Sequence, residues 1–134
     1  MRYVHAITRL SAVGVTLLLL GLSSGANAAN TSASHATLAA QLVDANAKAQ
    51  KKAATVEVKV TGIKLVDPAA AKEKPKAGQG HLHYQLDSDP IIATTATKLS
   101  FHELPPGQHQ VKVMLAANDH SPLGPEQTLT VVVP

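Results

Sequence analysis

The stretch GHLHYQLD, Gly80 to Asp87, decides how the chain is read. Leu82, Tyr84 and Leu86 recur every second residue, which is the period of a strand with one buried face and does not fit the 3.6-residue period of a helix. The alternation sends His81 and His83 to the opposite, outward face. Two imidazoles at i and i+2 then lie about 6.5–7 Å apart along the backbone, close enough for long side chains to converge on one ion.

Outward from this strand, the same grammar repeats. TVEVKVTGIKLV alternates Val56, Val58 and Val60 against Glu57, Lys59 and Thr61, with Gly62 at a bulge position. DPAAAKEKPKAGQG, Asp67 to Gly80, is a Pro/Gly/Lys loop. DSDP is a turn, Ile91 and Ile92 begin a short strand, and TKLSFHEL supplies another. After the turn at Pro105–Gly107, HQVKVMLAAN places Val111, Val113 and Leu115 on one face. QTLTVVV closes the chain beyond the loop DHSPLGPE. Six or so short strands separated by turn signals predict an all-β fold, a small antiparallel β-sandwich spanning residues 55–134.

The chain begins with MRYVHAITRLSAVGVTLLLLGLSSGANAAN: two arginines, an apolar run from Leu10 to Leu22, and the small-residue pattern Ala26-Asn27-Ala28. These are the parts of a Sec-type signal peptide, residues 1–28, and the apolar run is shorter than the roughly 20 residues of a membrane span. The expected product is periplasmic or secreted, has no membrane span after cleavage and numbers 106 of the 134 residues. Both arginines fall in the signal, so ten lysines face nine acidic residues and the mature charge is +1. That near-neutral balance, with only Tyr84 and Phe101 aromatic after cleavage, argues against a nucleic-acid surface and a stacking platform for bases or sugar rings. The chain has no cysteine, so an oxidising compartment would add no disulfide. Residues 29–54 are rich in alanine and read as a spacer or marginal helix, with His35 facing solvent.

The run LPPGQHQVKV resembles the corner before the sixth strand of immunoglobulin-like and fibronectin-like domains. Leu104, Gly107, Val111 and Val113 match, and His109 stands where an aromatic residue usually ties the corner to the backbone. The resemblance implies an immunoglobulin-like sandwich and says nothing of function. In such a fold the strand from Gln108 to Ala117 runs antiparallel to HLHYQLD. His81 and His83 are then carried towards Asn118, Asp119 and His120, whereas His102 and His109 flank the other end.

The candidate metal ligands are therefore His81, His83 and His120, with Asp119 as a direct ligand or as the group that orients an imidazole. A histidine and carboxylate set without thiolate suits Cu(II) or Zn(II). Met114 points away from Val113 and has no partner methionine, which argues against a thioether copper site. Two other roles compete. The chain could be a non-catalytic envelope module that binds a protein or polymer by its loops or edge strands, its histidines incidental. His81-x-His83-x-x-x-Asp87 also resembles half of the cupin motif, which would imply a metal-dependent oxygenase with His109 beside the pair. His109 follows Gly107 one residue too early for the second cupin motif, and Asp87 replaces its glutamate. No serine lies in a nucleophile-elbow context, so no catalytic residue is assigned.

GHLHYQLD, TTATKLSFHELPPGQH and NDHSPLGPEQTLTV together resemble an uncharacterised family of exported bacterial proteins, over about Val56 to Val133. That resemblance implies a bacterial exported β-domain and no particular activity.

Overall fold

The computed structural model describes residues 35–70 and 74–134. The expected signal peptide, residues 1–28, lies outside them. Among the described residues, no helix is long and apolar enough to cross a membrane.

The described chain is an all-β sandwich. One sheet has three strands: β1 (Thr37–Leu42), β2 (Ala54–Thr61) and β6 (Lys98–Phe101), in the order β1-β2-β6. The other has the order β3-β4-β7-β8, formed by β3 (Lys64–Leu65), β4 (Gln79–Leu86), β7 (Gly107–Ala116) and β8 (Pro122–Val133). Strand β5 (Ile92–Thr94) pairs with β4 off this path. All pairings are antiparallel except the short β3–β4 contact. Three strands facing a β4-β7-β8 layer reproduce the connectivity of immunoglobulin-type sandwiches.

Alternation fills the space between the sheets. Val56 and Val58 from β2 meet Leu82 and Tyr84 from β4, Val111, Val113 and Leu115 from β7, and Val131 and Val133 from β8. Phe101 and Leu104 close one end. Tyr84 is fully buried, yet its hydroxyl donates to the Ala96 carbonyl at 2.7 Å, so its polar tip is satisfied. Burial pushes the phenol pKa up to about 12.

Two expectations change. Of residues 29–54, expected to be a spacer or marginal helix, 29–34 lie outside the described residues and Thr37–Leu42 is a strand. It pairs along its length with β2, from Thr37 opposite Thr61 to Leu42 opposite Val56. Pairing and burial override the helix preference of its alanines. The Gln127 side chain, from β8 in the other sheet, adds to this. It donates to the Ala40 carbonyl at 3.0 Å and accepts from the Ala40 N–H at 2.8 Å. Among the described residues, only Ala45–Gln50 forms a helix, α1. The second change concerns β4: Leu86 is half-buried, while His81 and His83 are buried with the core residues between them.

Gly80 sets the approach of β4 to its neighbours. A methyl group at this position would lie 2.5 Å from the Ala116 carbonyl oxygen, 2.9 Å from Ile63 Cδ1 and 3.1 Å from Leu123 Cδ1. The first contact is with backbone and cannot rotate away. G80A should therefore lower unfolding stability by about 1–3 kcal/mol, as overpacking does. Urea denaturation of the two proteins measures the difference, and an unchanged midpoint would show that β4 and β7 can separate freely at this point.

Candidate metal centre

Leu82 and Tyr84 anchor one face of β4 in the core, so the strand geometry gives His81 and His83 a common opposite face. Strand β7 runs antiparallel beside it, with His81 opposite Ala116 and His83 opposite Met114. Beyond Ala116 the chain turns back sharply. The His120 N–H donates to the Ala117 carbonyl at 2.8 Å, and the Ala117 N–H donates to the Ser121 carbonyl at 2.8 Å. This turn holds His120 at φ 67°, a left-handed conformation that costs a non-glycine residue on the order of 1 kcal/mol.

The turn delivers a third imidazole onto the pair. His81 Nε2 lies 2.9 Å from His83 Nε2, and His120 Nδ1 lies 3.1 Å from each. The three rings are tilted, edge-on and stacked with respect to one another, with centroids 4.7 to 5.3 Å apart. His81 is 0% exposed and His83 7%, whereas His120 is exposed. The expectation that the pair faces solvent is corrected. The imidazoles pack on one another and under the returning loop.

Three such contacts cannot all be hydrogen bonds. Each contacting nitrogen carries either a proton or a lone pair. Among three atoms with two possible roles, at least two must share one, so one contact opposes like with like. A cation between them removes the conflict, because all three nitrogens can then present lone pairs to it. The electrostatics point the same way. Burial, followed by the neighbouring His83 and His120, pushes the His81 pKa down to about 4; burial and then His120 lower that of His83. His81 is accordingly neutral at pH 7, the form that ligates.

Asp119, expected as ligand or helper, does not join the three nitrogens. Its Oδ1 accepts from the Ser121 hydroxyl and, at 3.0 Å, from the Ser121 N–H; these bonds hold its carboxyl below the usual range. Its task is to shape the turn that carries His120.

The other end of β7 holds a different histidine arrangement. His109 donates from Nδ1 to Asp87 Oδ2 and from Nε2 to the Pro105 carbonyl, both at 2.7 Å. Two acceptors require two N–H donors, so this imidazole is held protonated. The Asp87 hydrogen bond and then the Pro105 carbonyl raise its pKa, and the His109 bond followed by the Gln110 N–H lowers that of Asp87. His109 thus fills the corner position as expected. Five residues separate it along β7 from Met114, the partner of His83, a distance of about 17 Å. The cupin arrangement, which needs His109 beside the pair, is not assembled. His102 and His35 are exposed. A cavity of about 410 Å³ lined by residues including Gln41, Glu57, Lys59 and Thr97 contains none of the three clustered histidines.

The sequence reading missed two polar roles, one exposed and one buried. Asp87 is the His109 partner, which register could have shown, since Leu86 pairs with Val111 and the Asp87 N–H donates to the Gln110 carbonyl. Asn118 is 5% exposed, and its Nδ2 donates to Gln79 Oε1 at 3.4 Å. Asparagine in a loop gives no signal of burial.

No family model matches the chain, and no curated protein does. One solved structure with partial likeness is the extracellular domain of the putative one component system BT4673 from B. thetaiotaomicron. It is 15% identical with a TM-score of 0.40, and the match covers 62% of this chain and 10% of that one.

The two histidine groups should give the metal-free domain opposing pH limbs. His81 and His83 have folded pKa values below the ordinary 6.5, so the unfolded chain binds more protons and stability falls as pH drops from about 6.5 towards 4. His109 has a raised pKa, so its contribution is complete below about 6.5 and is lost as pH rises through the folded value. Thermal melts in chelator should peak near pH 6.5. H109F should flatten the alkaline limb and leave the acid one; an unchanged alkaline limb would contradict the protonated corner.

Proposed function

We propose that the chain is an exported bacterial metal-binding domain that holds one Zn(II) or Cu(II) ion through His81 Nε2, His83 Nε2 and His120 Nδ1. It would belong to the uncharacterised exported family whose sequence pattern it resembles. The observation that carries the reading is the triangle of three nitrogens with edges of 2.9 to 3.1 Å. An ion bonded to three such atoms at about 2.05 Å sits about 1 Å above their plane, with N–metal–N angles near 95°. Opening each edge to about 3.4 Å makes the tripod tetrahedral, a shift of only a few tenths of an ångström. A square-planar Cu(II) site would instead need one pair about 4 Å apart. The geometry therefore favours Zn(II), even though Cu(II) has the higher intrinsic affinity for imidazole.

Three neutral ligands leave the ion its full double charge and at least one position for water or another donor. Asp119, whose Oδ1 is bonded to Ser121, does not join the three nitrogens to supply that donor. Sequestration, transfer or delivery of the ion is the class of activity this arrangement supports.

Calorimetric titration of chelator-treated mature protein tests the reading. Wild type should take up one equivalent of Zn(II). Each of H81A, H83A and H120A should weaken binding by more than the 10–100-fold typical of losing an outer hydrogen-bond partner. At zinc concentrations about 100 times the dissociation constant, binding should stabilise the fold by about 2.7 kcal/mol. Equal affinity in wild type and the triple variant would overturn the proposal.

A further inference from the structure

Two buried side-chain atoms among the described residues have no hydrogen-bond partner: His81 Nδ1 and Asn118 Oδ1. Such atoms are expensive to leave unmatched, and each calls for an explanation. One can donate and the other can only accept.

Their positions in the fold put them on the same face of the β4–β7 pair. Gln79, His81 and His83 share one face of β4 by the strand period. Asn118 Nδ2 bonds to Gln79 Oε1, which places the Asn118 amide on that face, two residues beyond the Ala116 that pairs with His81. Asn118 and His81 are 5% and 0% exposed, so bulk solvent is not the partner of either group. No direct bond joins the two orphaned atoms. A single buried water between them would satisfy both, as buried waters commonly do.

We propose that Asn118 is a positioning residue for the histidine cluster: its Oδ1 accepts the Nδ1–H of His81 through a bridging water and so fixes the tautomer that leaves the His81 Nε2 lone pair facing His83 and His120. A neutral imidazole has one proton to place, and the partner of one nitrogen decides the state of the other. Without an acceptor at Nδ1, the proton is equally at home on Nε2, where it would point into the cluster and block an incoming cation. The Gln79 contact then has its own purpose. It occupies the Asn118 amide nitrogen and turns the carbonyl oxygen towards His81. This role rests on the metal reading for its purpose, while the tautomer is a property of the metal-free protein.

The test is long-range ¹H–¹⁵N correlation of the imidazoles in metal-free wild type, N118D and N118L at neutral pH, followed by zinc titration of each. Wild-type His81 should be the Nδ1–H tautomer. N118D, which keeps an acceptor, should retain it. N118L should lose the preference and bind Zn(II) about 10–100-fold more weakly, with unchanged chemical shifts at His109 showing that the sandwich is intact. A dominant Nε2–H tautomer in wild type would overturn the proposal, since both amides would then be oriented the opposite way. An N118L variant with the wild-type tautomer and affinity would overturn it equally. If N118L does not fold, the wild-type tautomer and N118D still decide. An Nδ1–H His81 in a protein that binds no zinc would sink the metal reading and leave the positioning role standing.

Discussion

The pairing of β4 with β7 is the constraint on which the rest of the molecule depends. Its register, from His81 opposite Ala116 to Leu86 opposite Val111, fixes both faces of β4 at once. Leu82 and Tyr84 must enter the core because they are the large apolar residues of the strand. His81 and His83 then have no choice of face. A slip of one residue would exchange the faces, placing two imidazoles between the sheets and Tyr84 outside. The apolar core therefore does more than stabilise the sandwich: it aims the histidine pair.

The same pairing divides the histidines into two chemically distinct groups. At one end, the turn after β7 brings His120 onto His81 and His83, and three nitrogens crowd without an anion among them. At the other, His109 meets Asp87 and a backbone carbonyl and is held as a cation. Burial and like neighbours lower the pKa values of His81 and His83, while a carboxylate raises that of His109. One residue type thus packs against its own kind at one end of the sheet and serves as a doubly donating clamp at the other. What differs is the partner that the register supplies.

Much of this was legible in the sequence because it follows from period and direction. The alternation of Leu82 and Tyr84 gave the strand and its faces, and antiparallel chain direction selected Asn118–His120 as the neighbour of the pair. The corner motif located His109. Burial of the histidine face was not legible, because alternation assigns a face without saying what covers it. Nor was β1, whose alanine-rich sequence favours helix until β2 and the Gln127 amide offer its backbone partners. Asp119 looked like a ligand because a carboxylate beside His120 suits a metal; in the fold, the Ser121 hydroxyl and N–H two residues on claim it first. Local hydrogen bonds of this kind compete with longer-range roles, and sequence spacing does not reveal which prevails.

The central claim is that three imidazole nitrogens from β4 and the following β7–β8 turn share one ion. X-ray absorption spectroscopy of the zinc-loaded domain tests it most directly. The account predicts three imidazole nitrogens bound at about 2.0–2.1 Å, completed by one or two oxygen donors. A coordination sphere of oxygen donors alone, or one containing a single imidazole, would contradict it.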